Sequence, residues 1–224
     1  MNKRIFISRS IPSEKVHFYH KTAHIDLIGS SLIDFTPIED AIAPNADILF
    51  FYSAKAVQFF FDLFGSATFL SYQVACLGPG AAQILHKHHI PIAFCGNGDP
   101  EQTKNLFNEY ATGKSVLFAI PSQSTKSFDD GNQNYKTLYT TIYSNQPKAK
   151  FEIPQADVYL FTSSLNVKAF LLNGGDKTKP CVAIGQSTLH TLKKNHFSDI
   201  HISVTSTENS IIEKGISLIT HLKS

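Results

Sequence analysis

The chain has 224 residues, 42% of them hydrophobic, and its 20 basic and 18 acidic residues give a net charge of +2. This composition excludes a disordered or collagen-like chain, and the balanced charge argues against a general nucleic-acid binder. Three cysteines without a CxxC spacing disfavour a secreted disulfide scaffold, and neither a leader nor a membrane-spanning stretch is recognisable, so we expect a cytoplasmic protein.

Short apolar runs alternate with helical patterns along the chain, beginning with a predicted strand at Lys3–Ser8, a helix at Pro12–Lys21 and a strand at His24–Ile28. The next predicted elements are Asp47–Tyr52, Ala54–Phe64, Gln73–Leu77, Gly80–His88, Pro91–Phe94, Glu101–Tyr110 and Ser115–Ile120. The last are Val158–Phe161, Leu165–Leu172, Cys181–Ile184, Thr188–Lys194, Ile200–Val204 and Asn209–Leu222. Apolar strands alternating with helices are typical of a doubly wound α/β fold with parallel sheets.

Part of the sequence occurs twice. The run ADILFFYS, which ends at Ser53, is matched by ADVYLFTS, which ends 110 positions later at Ser163. The run VACLG, which ends at Gly78, is matched by CVAIG, which ends 107 positions later at Gly185. Matched positions in one order, with only a small change of offset, indicate that the chain arose by duplication of an α/β unit.

The later copy lacks a first strand and helix of its own, which the N-terminal segment can supply. We therefore expect a discontinuous α/β domain made of residues 1–35 and 147–224, with residues 36–146 inserted as a second α/β domain. The chain would cross between them near Ser31–Ile38 and near Leu138–Ser144, both extended in character, forming a two-stranded hinge beside a substrate cleft.

Small polar residues follow several predicted strands and precede helices. Ligands of parallel sheets bind at the carboxyl ends of the strands, and helix N-termini favour anions. The candidate binding residues are Arg9, Ser53, Gly80, Ser163, Ser164, Gly185, Ser187 and Thr188. These positions suit a small molecule with several negative charges. The alternative is that the hydroxyl residues only cap their helices.

We expect neither a metal nor an organic cofactor. His17, His20 and His24 have helical spacing, but no acidic or cysteine partner accompanies them in the pattern of a metal site. A dinucleotide-binding fingerprint, a phosphate-binding loop and a GxSxG elbow are also missing from the sequence.

The ordered set of motifs resembles the uroporphyrinogen-III synthase family. The family pattern is an apolar strand ending in F-T-S, a helix, and a strand ending in I-G-x-x-T. It is seen here as ADILFFYSAKAVQFF with VACLGPGAA, and as ADVYLFTSSLNVKAF with VAIGQST. Between the two copies, LYTTIYS at residues 138–144 falls where the family has its V-Y-x-T strand. The likeness extends from about Arg4 to Leu222.

The resemblance implies two flavodoxin-like doubly wound domains joined by a two-stranded ladder, with the active site in the cleft. It implies a lyase that cyclises hydroxymethylbilane, a linear tetrapyrrole with eight carboxylates, with inversion of the fourth ring and loss of water. Neither metal nor cofactor takes part. The expected partner is therefore only this small molecule, without nucleic acid or membrane, and a monomer is the default.

By the same resemblance, Tyr143 corresponds to the tyrosine that assists departure of the hydroxyl group, with Tyr139 as the alternative. Ser53, Ser163 and Thr188 correspond to strand-end hydroxyls that bind substrate, and Arg9 corresponds to the arginine that ends the first strand.

The chain departs from the family at several positions. Gln186 replaces a proline, and Gly80-Ala81 replaces a polar residue and a threonine. The segment Pro121-Ser-Gln-Ser lacks the arginine and glycine that commonly follow this strand. A different class stays open at this point, namely a non-catalytic two-domain binding protein for an anionic small molecule or tetrapyrrole.

Overall fold

The computed structural model of the protein describes residues 2–124, 126, 128 and 134–221. The strands are β1 (Lys3–Ile7), β2 (Ile25–Gly29), β3 (Ile33–Pro37), β4 (Ile48–Phe51), β5 (Gln73–Cys76), β6 (Phe94–Cys95), β7 (Ser115–Pro121), β8 (Lys136–Pro147), β9 (Val158–Phe161), β10 (Cys181–Ala183) and β11 (Ile200–Ile202). The helices are α1 (Ser13–Ala23), α2 (Ala54–Thr68), α3 (Pro79–Lys87), α4 (Pro100–Tyr110), α5 (Ser164–Leu172), α6 (Gln186–Lys194) and α7 (Glu208–His221). Across the described ranges, none of the helices is long and apolar enough to cross a membrane.

The predicted mixed α/β architecture is confirmed, with differences at a few element boundaries. The predicted strand Pro91–Phe94 is wrong in extent, because Pro91 has no N–H to give to a ladder. The chain joins its neighbour only from Ala93, whose N–H donates to the Val74 carbonyl at 2.8 Å, and the strand itself is β6. The predicted last helix ends at Leu222, which lies outside the described residues, as do the chain ends of the first expected domain.

By its internal contacts the chain divides into two compact units, residues 1–34 with 146–224, and residues 35–145. We call them the discontinuous unit and the inserted unit. The sequence predicts breaks after Phe35 and Gln146, each one residue later than the break seen in the structure. Both crossings fall inside strands, β3 and β8, which are neighbours in one sheet.

The discontinuous unit contains a five-stranded sheet in the order β11-β10-β9-β1-β2, and all its neighbouring pairs are parallel. One face packs against α7, where Ile211 and Ile212 join the apolar side chains of β1 and β9. On β9 the side chain of Tyr159 contacts Phe170 of α5, with ring centroids 4.8 Å apart. Because both faces are covered, every residue of β9 is buried.

The inserted unit contains a six-stranded sheet in the order β3-β8-β7-β4-β5-β6. Alternate residues of β4 serve different cores, since successive side chains of a strand point to opposite faces. Leu49 and Phe51 pack with the α2 and α3 side, whereas Ile48 and Phe50 pack with an aromatic cluster that includes Phe107 of α4.

The two sheets have the same spatial order of strands, but the chain begins at a different strand of that order in each unit. If β4, β5 and β6 are matched to β9, β10 and β11, then β7 and β8 take the places of β1 and β2. The order β8-β7-β4-β5-β6 then corresponds to β2-β1-β9-β10-β11. The sequence repeat therefore has a structural counterpart, in which β3 is the additional strand of the inserted unit.

Candidate functional site

The matched serines begin equivalent helices in the two units. Ser53 is the N-cap of α2, and its hydroxyl accepts a hydrogen bond from the Ala56 N–H at 3.2 Å. Ser163 is the N-cap of α5 and accepts from the Asn166 N–H at 3.2 Å and from its side-chain amide at 2.9 Å. The capping alternative is thus correct for both hydroxyls. Each serine nevertheless stands at the carboxyl end of a central strand, where ligands of such sheets bind.

These caps give a direct stability prediction. Ser163→Ala should lower the free energy of unfolding by about 1 kcal/mol, because the N-cap acceptor is lost. Ser53→Ala should cost at least as much, because it also removes a partner of Tyr143. Ser187→Ala is the matched control, since its side chain is exposed in the first turn of α6, and it should stay within about 0.5 kcal/mol. Urea denaturation followed by circular dichroism measures all three, and equal effects in all three would contradict the capping role.

The next helix of each unit begins at a glycine without a side-chain cap. Gly78 precedes α3 and Gly185 precedes α6. Pro79 has no N–H, so Gly80 supplies the first backbone donor of α3, and a Cβ at Gly80 would have nothing within 4 Å. In α6 the first helical hydrogen bond runs from the Leu189 N–H to the Gly185 carbonyl, at 3.0 Å. The N–H groups that precede Leu189 are orphan donors of the kind that bind anions.

The structure also shows what the other candidates of the discontinuous unit contact. The Ser164 hydroxyl donates to the Ser187 carbonyl at 2.9 Å, which joins the first turns of α5 and α6. Thr188 is buried, with 1% of its surface exposed. The Arg9 guanidinium lies 3.4 Å from the Glu208 carboxylate, which also pairs with Lys15. Its positive charge is therefore already shared with an acidic residue of the same unit.

Tyr143 lies in the inserted unit beside Ser53. The Ser53 hydroxyl is near enough to influence the phenol of Tyr143, whose ring stacks on Phe59 with centroids 4.6 Å apart and planes inclined by 17°. Only 5% of Tyr143 is exposed. Burial raises the pKa of its phenol above the ordinary value, although the neighbouring Ser53 side chain acts in the opposite direction. The group is therefore a neutral hydrogen-bond donor at physiological pH.

A β-bulge determines which face of the sheet Tyr143 occupies. Ile120 of β7 is opposite Thr141, but Pro121 is opposite Tyr143, so β8 contains one extra residue at this point. Such a bulge re-aims the side chains that follow it. Tyr143 consequently packs on the same face as α2, whereas Tyr139, four residues earlier, packs in the cluster on the opposite face.

Lys55 is a residue near the candidate site that sequence reasoning missed. It lies in the first turn of α2, and its ammonium stands 3.9 Å from the ring centroid of Phe35, which in turn packs against Tyr143. Desolvation lowers the pKa of Lys55. Among the described residues no carboxylate forms an ion pair with it. The repeat contains a signal for this residue, because Lys55 is matched by the apolar Leu165 and the two copies therefore differ in charge at this position.

A second missed feature is the hydroxyl-rich loop after β11. The predicted strand Ile200–Val204 is wrong at its end, because β11 stops at Ile202. At this turn the Ser203 hydroxyl lies within hydrogen-bond distance of two carbonyl acceptors, those of Ile184 at 3.0 Å and Thr205 at 2.8 Å. A Cβ at Gly185 would lie 3.2 Å from the Ser206 hydroxyl, so this loop adjoins the start of α6.

Two surface pockets lie away from these strand ends. A pocket of about 500 Å³ adjoins α1 and contains His17 and His20, the latter 3.0 Å from Asp26. Another, of about 540 Å³, surrounds Asp47 and Lys114. Within the part of the chain that the structure describes, no three histidine, cysteine or acidic side chains gather as metal ligands would.

A model of the family described as uroporphyrinogen-III synthase HemD matches residues 25–213. The chain belongs to the uroporphyrinogen-III synthase family. It therefore has the activity of that family, which is a lyase of porphyrin biosynthesis.

Solved structures agree on the fold of this synthase. The uroporphyrinogen-III synthetase from Helicobacter pylori 26695 is 18% identical, with a TM-score of 0.72 over 97% of this chain and 100% of that chain. A mutant uroporphyrinogen III synthase from the extremely thermophilic bacterium Thermus thermophilus is 12% identical, with a TM-score of 0.62 over 98% of this chain and 99% of that chain. Among curated protein sequences, none matches significantly.

Proposed function

We propose that the substrate of this synthase is hydroxymethylbilane, whose eight carboxylates are held mainly by backbone donors. The loss of its terminal hydroxyl as water would be followed by macrocycle closure with the fourth ring inverted. The observation that supports this assignment most strongly is the buried phenol of Tyr143, which stacks on Phe59 and lies beside Ser53 at the end of a central strand. It provides a neutral proton donor in an apolar surround, as the departure of a hydroxyl group requires.

Helix N-termini explain how a protein of net charge +2 can bind a polyanion. Each well-placed carboxylate at such an end gains about 0.3–1 kcal/mol from the helix dipole, in addition to hydrogen bonds from orphan N–H groups. We propose that Gly80 in the inserted unit, and Gly185, Ser187 and Thr188 in the other, contribute such donors. Ser163 and Ser164 start the neighbouring helix, and Arg9, although paired with Glu208, adds a cation.

In the proposed mechanism the Tyr143 hydroxyl donates its hydrogen bond to the departing hydroxyl of the first ring. Ser53 and the stacked Phe59 hold the phenol in place. Loss of water leaves an electrophilic azafulvene, which the substituted carbon of the fourth ring attacks to give a spiro intermediate. Each tenfold preference for the inverted isomer needs about 1.4 kcal/mol between competing transition states. Orientation of a flexible substrate can supply that difference.

The sheet order supports a finer description of the fold. Numbered within its own unit, the order β2-β1-β9-β10-β11 is 2-1-3-4-5, the order of flavodoxin-like domains. We propose that both units are flavodoxin-like domains, residues 1–35 with 147–224 and residues 36–146, the second with a circularly permuted strand order, and that β3 and β8 link them as a two-stranded ladder. We propose further that strand ends of both domains contribute to binding one substrate molecule.

We also propose that the enzyme acts as a cytoplasmic monomer. An odd number of cysteines, all of them free thiols in the structure, suits a reducing compartment. All the residues of the proposed site belong to one chain, so the proposed chemistry needs no second copy. Size-exclusion chromatography with light scattering tests the monomer.

The test of function is a coupled assay in which the purified protein is present while hydroxymethylbilane is generated. The products are oxidised, and isomers I and III are separated by chromatography. We expect isomer III to predominate. Isomer I alone, formed at the spontaneous rate, would overturn the substrate assignment and favour a binding protein for tetrapyrroles.

A further inference from the structure

The fold brings together two cysteines that are far apart in the sequence. Cys76 is the last residue of β5 and Cys95 is the last residue of β6, and the register of these parallel strands places them directly opposite each other. In a parallel pair, opposite side chains point to the same face of the sheet. The Cys95 thiol is also near enough to raise the pKa of the Cys76 thiol, which agrees with this register.

The backbone geometry of this pair is compatible with a disulfide. Neighbouring strands are about 4.8 Å apart, which falls inside the range of about 4.4–6.8 Å between the Cα atoms of bonded cysteines. Both cysteines are free thiols here. Cys95 is exposed on the edge strand of the sheet and Cys76 is buried beneath it, so an external reagent reaches the pair through Cys95.

We propose that Cys76 and Cys95 form a thiol-disulfide modification site, which closes to an intramolecular disulfide by exchange with a low-molecular-weight disulfide. The Cys95 thiolate attacks one sulfur of the reagent, one thiol leaves, and a mixed disulfide forms at Cys95. The Cys76 thiol then loses its proton to solvent and displaces the second thiol. Two cysteines are thereby oxidised to one disulfide, and one external disulfide is reduced to two thiols.

The order of these steps follows from the surroundings of the two sulfurs. Burial, reinforced by the neighbouring Cys95, raises the pKa of Cys76 to about 12, which keeps this thiol protonated. The thiolate is the attacking species in such exchange, so the exposed Cys95 reacts first.

The duplicated unit supplies an internal comparison. In the matched strands of the discontinuous unit, Ala183 is opposite Ile202, an apolar pair. The third cysteine, Cys181, is opposite Ile200 and has no cysteine neighbour in its sheet. The thiol pair is therefore a feature of the inserted unit and not a consequence of the repeated fold.

The pair lies directly before two strand-end loops that touch each other. A Cβ at Gly78 would lie only 2.5 Å from the Gly98 Cα, so the loops after β5 and β6 are in close backbone contact. The first of these loops leads into α3 and Gly80. A bond between Cys76 and Cys95 would tie the short edge strand β6 to this loop.

The experiment is to incubate the reduced, full-length protein with glutathione disulfide, alkylate the remaining thiols and record intact and peptide masses. Before alkylation we expect the wild type to lose about 2 Da, the mass of two hydrogens, and a peptide linking Cys76 to Cys95 to appear. Cys181→Ser, the matched control, should behave in the same way. Cys95→Ser, which changes an exposed side chain, should show no loss of 2 Da. Dithiothreitol should reverse the change.

Any of the following results would overturn the proposal. A stable adduct of about 305 Da at Cys95, with Cys76 still open to alkylation after unfolding, would show that the pair does not close. A loss of 2 Da that persists in Cys95→Ser would assign the bond elsewhere. A disulfide that includes Cys181, or a disulfide-linked dimer, would also show that the bond is not the intramolecular one between Cys76 and Cys95. Because the readout is mass, these outcomes do not depend on the substrate proposed above.

Discussion

Replacement of Tyr143 by phenylalanine should lower the rate of isomer III formation about 100-fold, because the proton donor to the departing hydroxyl is lost. The ring should stay in place, since its stacking on Phe59 and its contact with Phe35 need no hydroxyl. Only the interaction of the phenol with the neighbouring Ser53 disappears, so the midpoint of thermal unfolding should fall by only a few degrees. The rate is measured in the coupled assay, with the isomers separated.

The matched control is Tyr139→Phe, which removes a hydroxyl from the same strand but from the opposite face of the sheet. It should retain most of the activity. Because the pKa of Tyr143 is raised above its ordinary value of 10.0, its phenol stays protonated throughout the range from pH 7 to 9. The wild type should therefore show no loss of rate in this range from ionisation of Tyr143. An unchanged rate in Tyr143→Phe would remove this residue from the mechanism.

Replacement of Lys55 by glutamine should raise KM about tenfold and leave kcat within about twofold, because a charge-assisted contact with a substrate carboxylate is lost. The ammonium is partly desolvated beside Phe35 and has no carboxylate partner among the described side chains. A substrate carboxylate that binds beside this ammonium would therefore form a favourable charge-assisted hydrogen bond. Steady-state kinetics at several substrate concentrations separate KM from kcat.

Lys168→Gln serves as the control for Lys55, since it removes the same charge from an exposed position on α5. It should leave KM unchanged. Lys55→Arg should recover much of the lost affinity, because an arginine also presents a positive charge to a carboxylate. An equal rise of KM in Lys55→Gln and Lys168→Gln would indicate a general effect of net charge instead of a contact at Lys55.

The sequence by itself determined the α/β class and most of its elements. Strands such as β9 are apolar throughout and β9 was predicted with the right bounds, because both faces of a parallel sheet are buried and leave little freedom of composition. The serines that begin α2 and α5 were also recognisable, since an N-cap is a local interaction between residues three positions apart.

The ordered motifs also pointed to the family, because the duplication placed each motif twice at nearly constant offsets. A family model over residues 25–213 confirmed this interpretation. The roles of individual residues stay predictions, since they depend on a substrate whose contacts no local pattern defines.

The tertiary structure alone decided which distant side chains meet. The pattern of β8 makes Tyr139 and Tyr143 equivalent, and only the bulge opposite Pro121 puts them on different faces. The contact of Lys55 with Phe35 joins α2 to β3, and the pairing of Cys76 with Cys95 depends on the register of β5 and β6. These residues are far apart in the sequence and meet only when whole strands and helices pack together, so the spacing of neighbouring residues does not reveal the contacts.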